Sequence, residues 1–496
     1  MNKYSASIFN YLFSSINSIV MIINGIIMVP IYFKFMSVST YGAWLATGNI
    51  AAMLGLIESG FASVITQKMS VAIAEKDNNK FLNLAGANIY TAVLMAFFLL
   101  LLGLSISPFV ANWVNAEETI QRAITIAFIV SLISAAISLI VSLLGAFPQV
   151  WQETKTIGII RTIVNILGVI ALITFLYLGF GVVSLALGYL TRAVLNLLGQ
   201  GSWILWKWRK LNLGKPAFNL LVIRVLLKDC FYPFLSKTSN AIMGNSQSFI
   251  IALFINPTLA AVYDITNKIV SVSCNFVSMA NGSFFALFSL TFASKNIFEI
   301  NNLLKLVTNF FMTLLFTVLL YSLFFTKPIV HFWVGLDKYG GDFLLLLIVV
   351  SMLITQLKQY FNSLLYSGGL INKSAKLDVL SMVLYLLVLL IIVKKTQIYA
   401  IPIAAFVSGI VFIGLYLRLL KTQLHVDIQS IIKLSIRLLI TTIPFLLLHS
   451  IFKINLMNLS HLVTYGFLFS IIYFTIIGIS NKSVVLMLIS KFRHEK

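Results

Sequence analysis

The segment LAGANIYTAVLMAFFLLLLGLSIS, residues 84–107, runs for 24 positions without an Asp, Glu, Lys or Arg. Coiled as an α-helix it is about 36 Å long, enough to cross the roughly 30 Å hydrocarbon core of a bilayer. Comparable apolar stretches recur along the chain, separated by short polar breaks. They predict spans at 9–33, 41–66, 84–107, 120–145, 157–177, 182–206, 231–255, 259–291, 304–325, 343–366, 377–393, 398–419, 436–452 and 459–479. The predicted fold class is an all-α integral membrane protein of about fourteen transmembrane helices.

Composition agrees. Hydrophobic residues make up 60% of the 496 positions and charged residues 10%, with a mean hydropathy of +1.00. A soluble domain of this size could not hide so much apolar surface. The formal charge of +21 would suggest a nucleic-acid partner in a soluble protein. Here the cations gather in predicted loops instead. With the N-terminus inside, 24 of the 35 Lys and Arg fall on cytoplasmic segments and seven outside, and the reverse topology inverts that ratio. Both termini are predicted to be cytoplasmic, and no nucleic-acid partner is expected. Cys230 and Cys274 form neither a metal pattern nor a disulfide framework. No metal or cofactor is expected. The first apolar run is long and lacks a small-residue cleavage site, so it reads as a retained span. Even the longest predicted external loop, 327–342, is too short for a domain, which places any chemistry within the bundle or at its mouths.

Two halves of the chain look alike. Pro108-Phe109-Val110-Ala111-Asn112-Trp113-Val114 and Pro328-Ile329-Val330-His331-Phe332-Trp333-Val334 share the pattern P-x-V-x-x-W-V, 220 positions apart. A shift of 222 brings Phe9 onto Phe231, Ser14 onto Ser236, Met21 onto Met243, Tyr41 onto Tyr263 and Gly60 onto Gly282. The turn Ala74-Glu75-Lys76-Asp77 resembles Ala293-Ser294-Lys295-Asn296. This predicts a duplicated six-helix unit, its copies related by an axis along the membrane normal. The expected division is 1–206 as an N-terminal lobe, 207–230 as a cytoplasmic linker, 231–420 as a second lobe, and 421–496 as two further spans with a tail. A cleft between two such lobes is the expected substrate path.

Polar residues pick out helix faces. The first span carries Asn10, Ser14, Asn17 and Asn24 at helical spacing, and the seventh carries Ser236, Asn240 and Gln247. In hydrocarbon these groups need partners, so the faces point inward, as interhelical glue or as cavity lining. Four cations lie well inside predicted spans: Arg192, Lys237, Lys268 and Lys358. The acids assigned to span interiors are Glu58 and Asp264, the latter one turn from Lys268 and able to neutralise it. A cation at mid-membrane costs about 2.5–3.5 kcal/mol on insertion scales, so it faces water or a counter-charge. Lys237 and Lys358 lie toward the cytoplasmic side, where they can also snorkel. Arg192 sits near mid-span without an acid one turn away, and is the leading candidate. The surplus of positive charge suits an anionic cargo group such as a pyrophosphate.

Tyr41-Gly42-Ala43-Trp44, Leu56-Ile57-Glu58-Ser59-Gly60-Phe61, Ala260-Ala261-Val262-Tyr263-Asp264 and Trp333-Val334-Gly335 resemble segments of O-antigen repeat-unit flippases. These form part of the polysaccharide exporter branch of the multidrug/oligosaccharidyl-lipid/polysaccharide superfamily. The resemblance spans nearly the whole chain. It implies a MATE-like pair of lobes working by alternating access in a bacterial inner membrane. It also implies an oligosaccharide on undecaprenyl pyrophosphate as cargo, membrane lipids as surroundings, and a polysaccharide polymerase and chain-length regulator as partners. Basic cavity residues are a theme of that family, a role open to Arg192, Lys237, Lys268 and Lys358. Glu58 and Asp264 are the candidates for proton or sodium coupling. A lipid II flippase and a multidrug antiporter share the plan, although an antiporter would rely on buried acids. A membrane polysaccharide polymerase or ligase lacks the external loop that its reaction site would need.

Overall fold

The computed structural model describes residues 27–55, 60–151, 153–294 and 296–429, together with residues 25 and 464. Helices account for nearly all of these residues, and none is in a β-strand. After a helical stretch over residues 27–35, the helices in chain order are α1 (Val38–Leu54), α2 (Phe61–Ala74), α3 (Asn78–Trp113), α4 (Glu118–Leu144), α5 (Ala146–Val150), α6 (Thr154–Tyr177) and α7 (Val183–Lys210). They continue with α8 (Leu220–Phe254), α9 (Pro257–Ser283), α10 (Phe285–Ser294), α11 (Ile297–Trp333), α12 (Asp342–Ser367), α13 (Ile371–Thr396) and α14 (Ala400–Leu424).

Among the described residues, the stretches able to cross a membrane by length and composition are Asn78–Trp113, Glu118–Val150, Lys155–Tyr177, Ile297–Trp333, Asp342–Ser367 and Ile371–Leu424. The protein is a multi-pass membrane protein. On α3 the outward residues Val93, Leu94, Phe97, Phe98, Leu101 and Leu102 are all exposed. A contiguous apolar face of that kind is suited to lipid.

Two expected spans are interrupted. The stretch 41–66 is not one helix: α1 ends at Leu54, and α2 begins after Gly60, whose φ of +91° belongs to the left-handed region. A Cβ there would lie 3.0 Å from Pro233 and Phe234 of α8, so glycine is required both for the turn and for the close approach. The stretch 259–291 breaks at Phe284, whose N–H donates to the Asn281 carbonyl, and α10 then starts at Phe285. Asn281-Gly282-Ser283 are weak helix formers that supply the weak point. Most of the expected first span and both of the last two lie outside the described residues.

The internal repeat has a local counterpart. α3 and α11 are 36 and 37 residues long, carry Pro108 and Pro328 near their C-terminal ends, and stop at Trp113 and Trp333. Their N-caps are the matched residues Asp77 and Asn296, each accepting backbone N–H groups of the first turn. Val114 and Val334 close the two helices with N–H bonds to Val110 and Val330 of 3.1 and 3.0 Å. Pro108 leaves the Leu104 carbonyl without its helical donor, and the Ser107 hydroxyl takes it at 2.9 Å.

The chain divides into two packed units, one drawn from Met1–Tyr263 with Asp378–Ile398, the other from Asp264–Leu377 with Tyr399–Lys496. In the first, α4 packs on α3 and α7, α6 on α7, and α1 on α8 and α4. Leu99, Phe128, Leu132 and Leu143 are fully buried in its core, and Asn88 of α3 donates to the Leu143 carbonyl at 2.9 Å. In the second, α12 packs on α14 and α11. There Tyr360 stacks on Phe311 with centroids 4.3 Å apart and shares a 2.7 Å hydrogen bond with Thr308.

Candidate functional site

Arg192 is held by two helices of the first unit. It stands on α7 with 9% of its surface exposed and lies across Gly168 of α6. A Cβ at Gly168 would sit 2.8 Å from Nε and 3.1 Å from the arginine Cβ, so glycine opens the slot that the side chain fills. The guanidinium carbon is 5.4 Å from the ring centroid of Tyr189, within cation–π range. Tyr189 in turn stacks on Trp44 of α1, at 6.1 Å and 14° between planes. Gly188 lets α7 approach Leu172 of α6 equally closely. The motif residue Trp44 is thus part of the arginine's surroundings. α1 itself is seated through Gly42, where a Cβ would overlap the Pro257 carbonyl oxygen at 1.7 Å.

The polar face predicted on the seventh span is present on α8, with its bonds made mainly at home. Asn240 donates to the Ser236 carbonyl at 2.9 Å and Gln247 to the Met243 carbonyl at 3.4 Å, both on the same helix. Ser236 reaches across instead: its hydroxyl donates to the carboxylate of Asp378 on α13, and both residues are buried. Lys237, the next residue, is exposed. Asn10, Ser14, Asn17, Asn24 and Glu58 lie outside the described residues.

In the second unit, Lys358 on α12 is 2% exposed. Two positions earlier, Gln356 accepts from Ser278 of α9 at 3.2 Å. Asp264 and Lys268 are half-buried on α9. Among the described residues the ion pairs are Lys68–Asp229, Lys80–Glu75, Lys207–Glu153, Lys327–Asp342 and Lys338–Asp337. None involves Asp264 or Lys268, so the expected neutralisation along one helix turn is not made as an ion-pair contact.

A family model described as polysaccharide biosynthesis protein matches residues 10–292, more than half of the sequence. The chain belongs to the polysaccharide biosynthesis protein family. No curated protein matches the sequence. Among solved structures, this member of the family is similar to the lipid II flippase MurJ in an inward closed conformation. That TM-score is 0.69 at 14% identity, over 96% of this chain and 100% of the other. A MATE family multidrug resistance transporter in an inward-facing conformation gives 0.64 at 14% identity, over 82% and 96%. An outward-facing MATE structure gives 0.55 at 14% identity, over 85% and 95%. The fold is the one shared by MurJ and the MATE transporters.

Sequence reasoning passed over one buried acid of this polysaccharide biosynthesis protein. Asp378 is fully buried and stands at the second position of the predicted span 377–393, yet it was not named among the acids of the spans. In the structure α13 begins six residues before the predicted span, at Ile371, which moves Asp378 into the helix interior.

Proposed function

We propose that this polysaccharide biosynthesis protein is a flippase for lipid-linked glycan. It carries an O-antigen-type oligosaccharide unit on undecaprenyl pyrophosphate from the cytoplasmic to the periplasmic leaflet of a bacterial inner membrane. The observation that carries the reading is Arg192, a permanently charged guanidinium buried within a membrane-embedded unit and seated in a slot left by Gly168. A planar fork of donors suits the paired oxygens of a diphosphate. Lys237, Lys268 and Lys358 are its proposed auxiliaries, of which Lys358 is also buried. Family membership fits a glycan cargo, and the existence of inward- and outward-facing structures of this fold supports alternating access. A membrane potential negative inside favours outward movement of the anionic head by about 2.3 kcal/mol per charge per 100 mV. Glu58, Asp264 and the newly located Asp378 are the proposed residues for proton or sodium coupling.

The test is leaflet transfer in proteoliposomes carrying undecaprenyl-pyrophosphate-linked oligosaccharide, read by accessibility of the sugar to an added glycosidase. Arg192→Ala should abolish transfer at equal protein density, and Arg192→Lys should retain part of it. Transfer by Arg192→Ala at the wild-type rate removes this residue from the mechanism.

The similarity to MurJ favours one second reading, in which the cargo is lipid II. Deletion separates the two: loss of a lipid II carrier arrests growth, whereas loss of an O-antigen-type carrier removes surface glycan from cells that continue to divide.

A further inference from the structure

The first unit contains a cavity of about 640 Å³ walled by α1, α4 and Tyr189 of α7. On α4 its wall is a row of hydroxyls, Ser131, Ser134 and Ser138, which successive steps of three and four residues place on one helix face. The Ser131 hydroxyl donates to the Ala127 carbonyl at 2.8 Å and keeps its acceptor lone pairs. Ser134 is 94% buried, and neither it nor Ser138 makes a side-chain hydrogen bond to another described residue. The same holds for Asn49, which faces them from α1. Three polar groups without a side-chain hydrogen bond to another described residue therefore line one half-open space, with Ser134 buried, Asn49 half-buried and Ser138 exposed. The buried Ser134 hydroxyl keeps bonding capacity that a polar occupant would use.

The rest of the lining narrows the choice of occupant. Trp44 and Tyr189 add aromatic surface, and among the described residues no charged side chain borders the cavity. A cationic drug would find no carboxylate among the described lining residues, and an acyl chain would leave the hydroxyl row unsatisfied. A pyranose offers both matching parts, hydroxyls for Ser134, Ser138 and Asn49 and a C–H face for the rings. The Arg192 guanidinium lies 5.4 Å from the Tyr189 ring, so the neutral cavity adjoins the buried cation.

We infer that this cavity is a saccharide subsite, taking an uncharged sugar of the cargo while the neighbouring Arg192 takes its diphosphate. The inference rests on the flippase reading for the identity of the cargo, and on the cavity itself for the chemistry of the sugar. Gly48 of α1 also lines the space, and a Cβ added there meets no heavy atom within 4 Å. Gly48→Leu therefore fills the cavity without a backbone clash, and leucine is the better helix former.

Saturation-transfer NMR on the full chain in nanodiscs, with maltose, lactose and N,N′-diacetylchitobiose as probes, tests the assignment. At least one disaccharide should receive saturation from the wild type. Its affinity should fall about fivefold in Ser134→Ala and again in Ser138→Ala, the share of one hydrogen bond each. The signal should vanish in Gly48→Leu at an unchanged thermal midpoint, and inorganic pyrophosphate should leave it intact. Absence of transfer to all three disaccharides overturns the subsite, as does a signal that survives Gly48→Leu. The two readings fail separately. Arg192→Ala should lose transport and keep disaccharide binding, while a wild type that binds disaccharide yet moves no lipid-linked glycan refutes the flippase and leaves the subsite standing.

Discussion

Gly168 allows Arg192 to be displaced without touching its charge. A methyl group added by Gly168→Ala would sit 2.8 Å from the arginine Nε, 3.1 Å from its Cβ and 3.2 Å from its Cγ. Non-bonded heavy atoms settle at about 3.5–4.0 Å, so the arginine stem must shift by about 0.5–1 Å. Overpacking of this kind costs about 1–3 kcal/mol, against about 1 kcal/mol gained from the helix propensity of alanine. The net destabilisation of about 0–2 kcal/mol leaves the protein folded in the membrane. Misplacement by about 1 Å can cost a factor of about 100 where geometry decides function, and a loss of about tenfold or more in leaflet transfer is expected here. The measurements are the initial rate in proteoliposomes at matched protein density and the unfolding midpoint in detergent. Gly201→Ala on α7 is the control, because a Cβ there meets nothing within 4 Å. It should transfer at the wild-type rate and unfold at the same temperature or slightly higher. Equal rates for Gly168→Ala and Gly201→Ala would refute the claim that the position of the arginine matters.

Five further substitutions, in three experiments, probe the frame. Gly42→Ala places a Cβ 1.7 Å from the Pro257 carbonyl oxygen, backbone against backbone, and should cost about 3 kcal/mol or more, read as loss of monodisperse protein on size exclusion. Ser236→Ala and Asp378→Asn should be non-additive, with a coupling of about 1.5–3 kcal/mol if the bond is to a charged carboxylate, measured by thermal unfolding in a double-mutant cycle. Asp77→Ala and Asn296→Ala should each destabilise by about 0.5–2 kcal/mol, because each removes the side chain that caps a matched helix, and a neutral result at either position would deny it that role.

The membrane class and many helix positions were legible because they depend on length, apolarity and turn chemistry, which are local. The alignment of Ala74–Asp77 with Ala293–Asn296 correctly anticipated that Asp77 and Asn296 occupy equivalent places, and both proved to be N-caps. Periodicity likewise located the polar face of α8. It could not name the partners, since a hydroxyl or amide can bond to its own helix as Asn240 does, or to another as Ser236 does. The breaks at Gly60 and Phe284 were missed because a hydropathy window averages over a single residue in an unusual conformation. The slot at Gly168 was invisible for another reason. Its meaning lies in Arg192, 24 positions away, and only tertiary packing joins the two.

Polarity within the long helices connects fold to function. α7, α8 and α9 are 28, 35 and 27 residues long, sufficient to span a bilayer, yet they are not among the stretches apolar enough to qualify by composition. They carry Arg192, Lys237, Asp264 and Lys268, together with the polar face of α8. A helix of that kind is tolerable in a membrane only where its polar side is turned from lipid. In the first unit α4 and α6 pack against α7, and α1 packs against α8. Contact with lipid then falls to surfaces such as the exposed Phe97 and Leu101 of α3 and Ile163 and Ile170 of α6. The most apolar helices accordingly give the protein its membrane, and the less apolar ones can hold groups that hydrocarbon would reject. Arg192 belongs to the second class, and Gly168 of α6, a helix of the first, opens the slot that its side chain fills.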